Sequence, residues 1–108
     1  VRGAIAQAIG AALLEEVHYD DSGQLLTATL QDYLVPGVFD VPRIDIVHMY
    51  TPSPFTEGGY KGVAEGGTIG APAAIVNAVA DALGVCPDEV RMPLTRERVL
   101  AWAEQTGT

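Results

Sequence analysis

The sequence predicts an α+β fold in the order helix, strand, strand, helix, helix. Three observations carry that reading. Residues 2–17 repeat their apolar positions at a helical period. Residues 24–33 and 44–50 alternate as strands do, and the stretch after Gly67 returns to a helical period that ends at a glycine. That order of elements suggests an α+β arrangement.

In the first helix Ile5, Ile9, Ala12, Leu13 and Glu16 fall near a 3.6-residue period, and Ala and Gly fill much of the rest. Such a helix packs closely through small side chains. Asp20-Asp21-Ser22-Gly23 is a turn, because Asp and Ser bond to nearby backbone and Gly accepts positive φ. Residues 24–33 then place Leu26, Ala28 and Leu30 on one face and Leu25, Thr27, Thr29 and Gln31 on the other, a strand. Pro36-Gly37 and Pro42 interrupt before a second strand at 44–50, with Ile44, Ile46, His48 and Tyr50 on one side. Thr51-Pro52-Ser53-Pro54 is stiff and extended. The second helix carries Ile69, Ala73, Val76, Val79, Ala80 and Leu83, with Pro72 in its first turn and Gly84 just past its end. Val90 to Leu94 is a short extended segment. Thr95 caps a last helix, Leu94 and Val99 form its hydrophobic staple, and Trp102 anchors it.

At 108 residues the chain is one domain or part of one, long enough to bury about 65% of its unfolded surface. A hydrophobic share of 48% argues against disorder. Six basic and fourteen acidic residues give a net charge of -8, which disfavours nucleic acid and anionic membranes as partners. No apolar run is long enough to span a bilayer. Cys86 is alone, so no internal disulfide forms, and a reducing, cytoplasmic setting is expected. The chain begins at Val1 inside what reads as a helix, the signature expected of a piece of a longer polypeptide.

Function points to Gly58-Gly59-Tyr60-Lys61-Gly62-Val63-Ala64-Glu65-Gly66-Gly67-Thr68-Ile69-Gly70, which holds six of the twelve glycines and the only lysine. A glycine cluster leading into a helix start suits an anionic group, because that end offers unpaired N–H groups and partial positive charge. No GxxxxGK[ST] is present, and no suitably placed GxGxxG. Two readings stand: a ligand-binding loop, and a structural turn packed tightly on a neighbour. Glu65 is the candidate base, since apolar neighbours Val63, Ala64 and Ile69 would desolvate its carboxylate if the loop were covered, while a close Lys61 would oppose that. Glu57 lacks the apolar setting and reads as exposed. His18 reads as a surface or capping residue, His48 as a core-edge residue and Tyr33 and Tyr50 as sheet residues; Arg91, Arg96 and Arg98 are placed to pair with Asp88, Glu89 and Glu97.

The run from Tyr60 through Ala74, continuing as Asn77-Ala78-Val79-Ala80-Asp81-Ala82-Leu83, resembles the C-terminal part of the molybdenum hydroxylases, the xanthine dehydrogenase and aldehyde oxidase family, with a flavour of the carbon monoxide dehydrogenase large chains. Gly3 to Gly10, Asp32 to Pro36 and Leu94-Thr95-Arg96-Glu97 fit the same order, so the resemblance spans nearly the whole chain. It implies that residues 1–108 are the C-terminal part of a larger molybdopterin-binding domain. In that family the matching glutamate stands beside molybdenum held by a molybdopterin, often as the cytidine dinucleotide form in bacteria, and serves as general base in hydroxylation of an aldehyde, an N-heterocycle or carbon monoxide. Carried over, Glu65 is that base, and Lys61, Gly62, Val63 and Ala64 form the backbone beside the cofactor. The implied partners are the rest of the large subunit, iron–sulfur and FAD subunits or domains, and a small-molecule substrate. This sequence departs from the pattern at Ala64, where the family has Gly, and at Ala8; Cys86 does not match a copper-binding loop. The alternative is a non-catalytic scaffold module that keeps the fold.

Overall fold

The computed structural model describes residues 1–107 and is helical. Its elements are α1 (Arg2–Leu13), α2 (Gly66–Leu83) and α3 (Arg96–Thr106), with single 3-10 turns at Glu57–Gly59 and Pro87–Glu89. Helices α1 and α2 lie side by side and run in the same direction: Gly67 meets Ala4 near their starts, and Leu13 packs on the cluster around Ala80 near their ends. Parallel neighbours require a long connection, which residues 14–65 supply.

The close packing expected of α1 is present. Ala8, Ile9, Gly10 and Ala12 are its buried residues, and Ala80 and Leu83 are those of α2; Gly10 lies against Glu15 and Pro36. Val90 and Leu94 complete the core, with Ile75, Val76, Val79, Val99 and Trp102 half-buried around it. Leu94 also donates its N–H to the Ala12 carbonyl at 2.6 Å, which fastens the approach to α3 onto the end of α1. The caps follow the sequence. Gly84 ends α2 in the left-handed region at φ 65° and donates to Ala80 and Asp81 carbonyls. The Thr95 side chain accepts from the Arg98 N–H at the head of α3, and the peptide bond between Met92 and Pro93 just ahead of it is cis.

The expected α+β class is overturned: among the described residues there is no strand and no sheet, only an isolated antiparallel bridge between Tyr19 and Leu25. That bridge closes the 20–23 turn, with the Leu26 N–H on the His18 carbonyl at 2.8 Å. Beyond it the Thr29 and Asp32 side chains take the backbone away from any ladder. The Thr29 hydroxyl accepts from the Gln31 N–H and donates to Asp32, while the N–H groups of Asp32 and Tyr33 turn back to the Thr29 carbonyl. Short polar side chains of this kind compete with sheet pairing. Residues 44–50 pair with no strand, and Val47, Met49 and Tyr50 are more than four-fifths exposed. Two-residue alternation is a pattern a strand needs, but without a partner to take its N–H and C=O groups it does not make one.

Helix α2 starts at Gly66, earlier than the apolar period suggests, so Pro72 is its seventh residue and not part of its first turn. There it removes the N–H that would bond to the Thr68 carbonyl. No helix of the described residues is long and apolar enough to cross a membrane.

Candidate functional site

The glycine loop is built in two steps. Residues 51–60 form a knot in which the Ser53 N–H reaches the Gly59 carbonyl at 3.0 Å and the Thr56 hydroxyl reaches the Tyr60 carbonyl at 2.8 Å. Gly58 and Gly59 both sit at φ 72°, where a Cβ would be strained and would also strike the Tyr60 ring or Pro52. Lys61 leaves this knot with its ammonium on the Thr51 hydroxyl at 3.1 Å. It forms no ion pair with Glu65.

A tight turn then delivers the chain into α2. The Gly66 N–H donates to the Val63 carbonyl at 3.1 Å, which makes Ala64 and Glu65 the central residues of the turn. Glu65 has φ -100° and ψ 2°, the third position of a type I turn and a sparsely used region where active-site residues recur. It is also the N-cap of α2, but its carboxylate makes no capping bond. Its carbonyl, in contrast, accepts from both the hydroxyl and the N–H of Thr68, at 2.7 and 3.0 Å. The Glu65 backbone is thus held while its side chain is uncommitted.

Lys61, Gly62, Val63, Ala64 and Glu65 are consecutive and all exposed, and so is Ile69. The apolar cover expected over Glu65 is therefore not furnished by this chain's own described residues. The two readings of the glycines divide by position. Gly67 is packed tightly on α1, whereas a Cβ at Gly62 or Gly70 would meet nothing within 4 Å. Gly62 thus leaves an open face of bare backbone three residues before Glu65, with room for a bulky cofactor against the loop. Among the described residues no three His, Cys, Asp or Glu side chains are grouped to hold a metal, so any metal here would have to be carried by the cofactor.

The remaining candidates resolve into supports. Glu57 is exposed, as expected. His18 is exposed and lies 3.1 Å from Glu16. His48 is exposed and not at a core edge, Tyr50 is exposed, and Tyr33 is half-buried with its hydroxyl on Glu15. The Glu15 carboxylate so close to that hydroxyl raises the Tyr33 pKa. Arg98 pairs with Glu16 across the fold, not with its neighbours in sequence, and its other arm reaches the Pro93 carbonyl at 2.8 Å. Sequence gave no sign of that pair, since 82 residues separate its members. An apolar cleft of about 480 Å³ lies between α1 and α3, lined by Ile9, Leu13, Leu94, Val99 and Leu100 among others, and no residue of the glycine loop lines it.

Residues 1–42 match the molybdopterin cofactor-binding domain family. The nicotine 6-hydroxylase large subunit of Paenarthrobacter nicotinovorans is 42% identical over 93% of this chain, and the carbon monoxide dehydrogenase large chain of Afipia carboxidovorans is 32% identical over 99% of it. Among solved structures, quinoline 2-oxidoreductase from Pseudomonas putida 86 superposes over 97% of the chain with a TM-score of 0.88 at 52% identity. A Cu,Mo-CO dehydrogenase follows with 0.86 at 31% identity over 98% of the chain. The chain spans only 12% to 14% of the length of these relatives.

Proposed function

We infer the function from one premise: the chain belongs to the xanthine dehydrogenase and aldehyde oxidase family, within the molybdopterin-binding large subunit. We propose that residues 1–108 are the C-terminal part of its molybdopterin-binding domain, in a cytoplasmic molybdenum hydroxylase, with Glu65 as general base. The observation that carries this is the Glu65 turn: a held backbone, an uncommitted carboxylate and open glycine backbone alongside.

When bound, the molybdopterin, in its cytidine dinucleotide form, would supply the two-electron oxidation and the metal. This chain's part is narrower. Lys61, Gly62, Val63 and Ala64 would lie along the cofactor, with the Gly62 backbone free of any side chain that would hold it off. Glu65 would take the proton released as a water-derived oxygen is transferred to the electrophilic carbon of the substrate. For a substrate RH the balance is RH and water giving ROH, two protons and two electrons. The electrons would leave to iron–sulfur and FAD partners. Cover from the rest of the subunit would exclude water from the Glu65 carboxylate. The substrate class favoured here is an N-heterocycle, because similarity to proteins named for nicotine and quinoline, at 42% and 52% identity, exceeds that to carbon monoxide dehydrogenases at 32% and 31%.

The test is Glu65→Gln in the complete enzyme with its partner subunits. Amide for carboxylate keeps the shape and removes the base, so turnover should fall by about 10²- to 10⁴-fold with molybdenum content unchanged. Near-normal turnover in the molybdenum-loaded variant rejects the base role.

A further inference from the structure

We propose that Gly67 is a positioning residue: its lack of a side chain lets the start of α2 seat against the start of α1, and that seating fixes where Glu65 stands. The inference rests on the reading of Glu65 as the base. A Cβ built on Gly67 would lie 2.8 Å from the Ala4 Cβ, 3.1 Å from the Val1 carbonyl oxygen and 3.2 Å from the Ile5 nitrogen. None of the three can step aside. The alanine methyl has no rotamer to change, and the other two atoms form the first hydrogen bond of α1, Ile5 N–H to Val1 C=O at 3.0 Å. A side chain at 67 would therefore push α2 away from α1.

That displacement would reach the carboxylate directly. Glu65 is two residues away, and Thr68 bolts the Glu65 carbonyl to the same turn through its hydroxyl and its N–H. The contact is specific to this glycine. Gly66 would meet only the Val63 side chain at 3.6 Å, and Gly62 and Gly70 would meet nothing within 4 Å. Gly67 thus differs from Gly62, Gly66 and Gly70 by what it touches, not by its backbone angles.

The experiment is Gly67→Ala in the complete enzyme, alone and combined with Ala4→Gly, with crystal structures and steady-state kinetics for each. A misplacement approaching 1 Å costs about 10²-fold in rate. Gly67→Ala should shift Glu65 away from α1 and lower kcat about 10- to 100-fold, with KM within about twofold. Ala4→Gly removes the nearest clash and should return Glu65 toward its place and recover part of kcat. The proposal falls if Glu65 stays in place in Gly67→Ala, or if Ala4→Gly restores neither position nor kcat. If Gly67→Ala does not assemble, Ala4→Val presses on the same contact from the α1 side and is judged by the same criteria. Glu65→Gln measured in parallel separates the two ideas: retained turnover there rejects the base role, while the crystallographic shift still decides the role of Gly67.

Discussion

At the scale of single residues, Glu65 and Asp20 use their carboxylates differently. Glu65 has its backbone bonded and its carboxylate unspent, whereas Asp20 commits its carboxylate as well as its backbone. One Asp20 oxygen accepts the Ser22 hydroxyl at 2.6 Å and the N–H groups of Ser22 and Gln24, each at 2.9 Å. Those bonds, the hydroxyl first, hold its pKa below the ordinary 3.8. The sign follows from linkage. A folded value below the unfolded one stabilises the turn above pH 3.8, and that contribution is lost as pH falls through the folded value. NMR titration of the Ser22 and Gln24 amides should show the turn opening in acid below pH 3.8, and Asp20→Asn should abolish that titration. Equal acid sensitivity in Asp20→Asn would contradict it.

At the scale of elements, the helices were legible and the strands were not. Ile5, Ile9 and Leu13 announce α1 because a helix satisfies its own backbone, so a local pattern is enough. Residues 24–33 and 44–50 show alternation just as plainly, but a strand also needs a neighbour, which no local pattern can certify. The Thr29 and Asp32 side chains then settled the first segment by turning the backbone on itself. The turn at 20–23, the glycine stop at Gly84 and the cap at Thr95 were readable because each is set by one or two residues. The loop around Glu65 was equally visible, while the contact of Gly67 with Ala4 was hidden by 63 residues of separation. Thr95 offers an element-scale test. Its bond to the Arg98 N–H is long at 3.5 Å, so Thr95→Ala should cost α3 only about 1 kcal/mol. Hydrogen exchange at Arg98 should quicken about fivefold; no change would mean the cap contributes nothing.

Over the whole molecule, the core is small for the surface it must support. The radius of gyration is 17.5 Å, against about 13 Å for a compact domain of this length. The exposed area is 8276 Å², where a compact protein of 11.3 kDa would show about 5,700 Å². The length would allow about 65% of the unfolded surface to be buried, and the structure falls short of that: the buried hydrophobic residues are Ala8, Ile9, Ala12, Ala80, Leu83, Val90 and Leu94, three of them alanines. Phe39 and Phe55 are 100% and 95% exposed, and Val38, Val47 and Met49 stand out nearly as far. Apolar area on this scale normally meets other polypeptide. The isolated chain should therefore bind a hydrophobic dye and self-associate in light scattering, and replacing Phe39 and Phe55 by Ser should reduce both. A monodisperse monomer that ignores the dye would refute this.

Helix α1 touches the two ends of the rest of the fold, at Ala4 beneath Gly67 and at the Ala12 carbonyl above Leu94. It therefore acts as a gauge of fixed length, with eight residues setting a spacing of about 12 Å. One inserted or deleted residue between those points would turn everything beyond it by about 100° and aim the Ala12 carbonyl away from Leu94. Length variation among homologues should accordingly gather in residues 34–50 and leave the stretch from Ala4 to Ala12 unaltered in count.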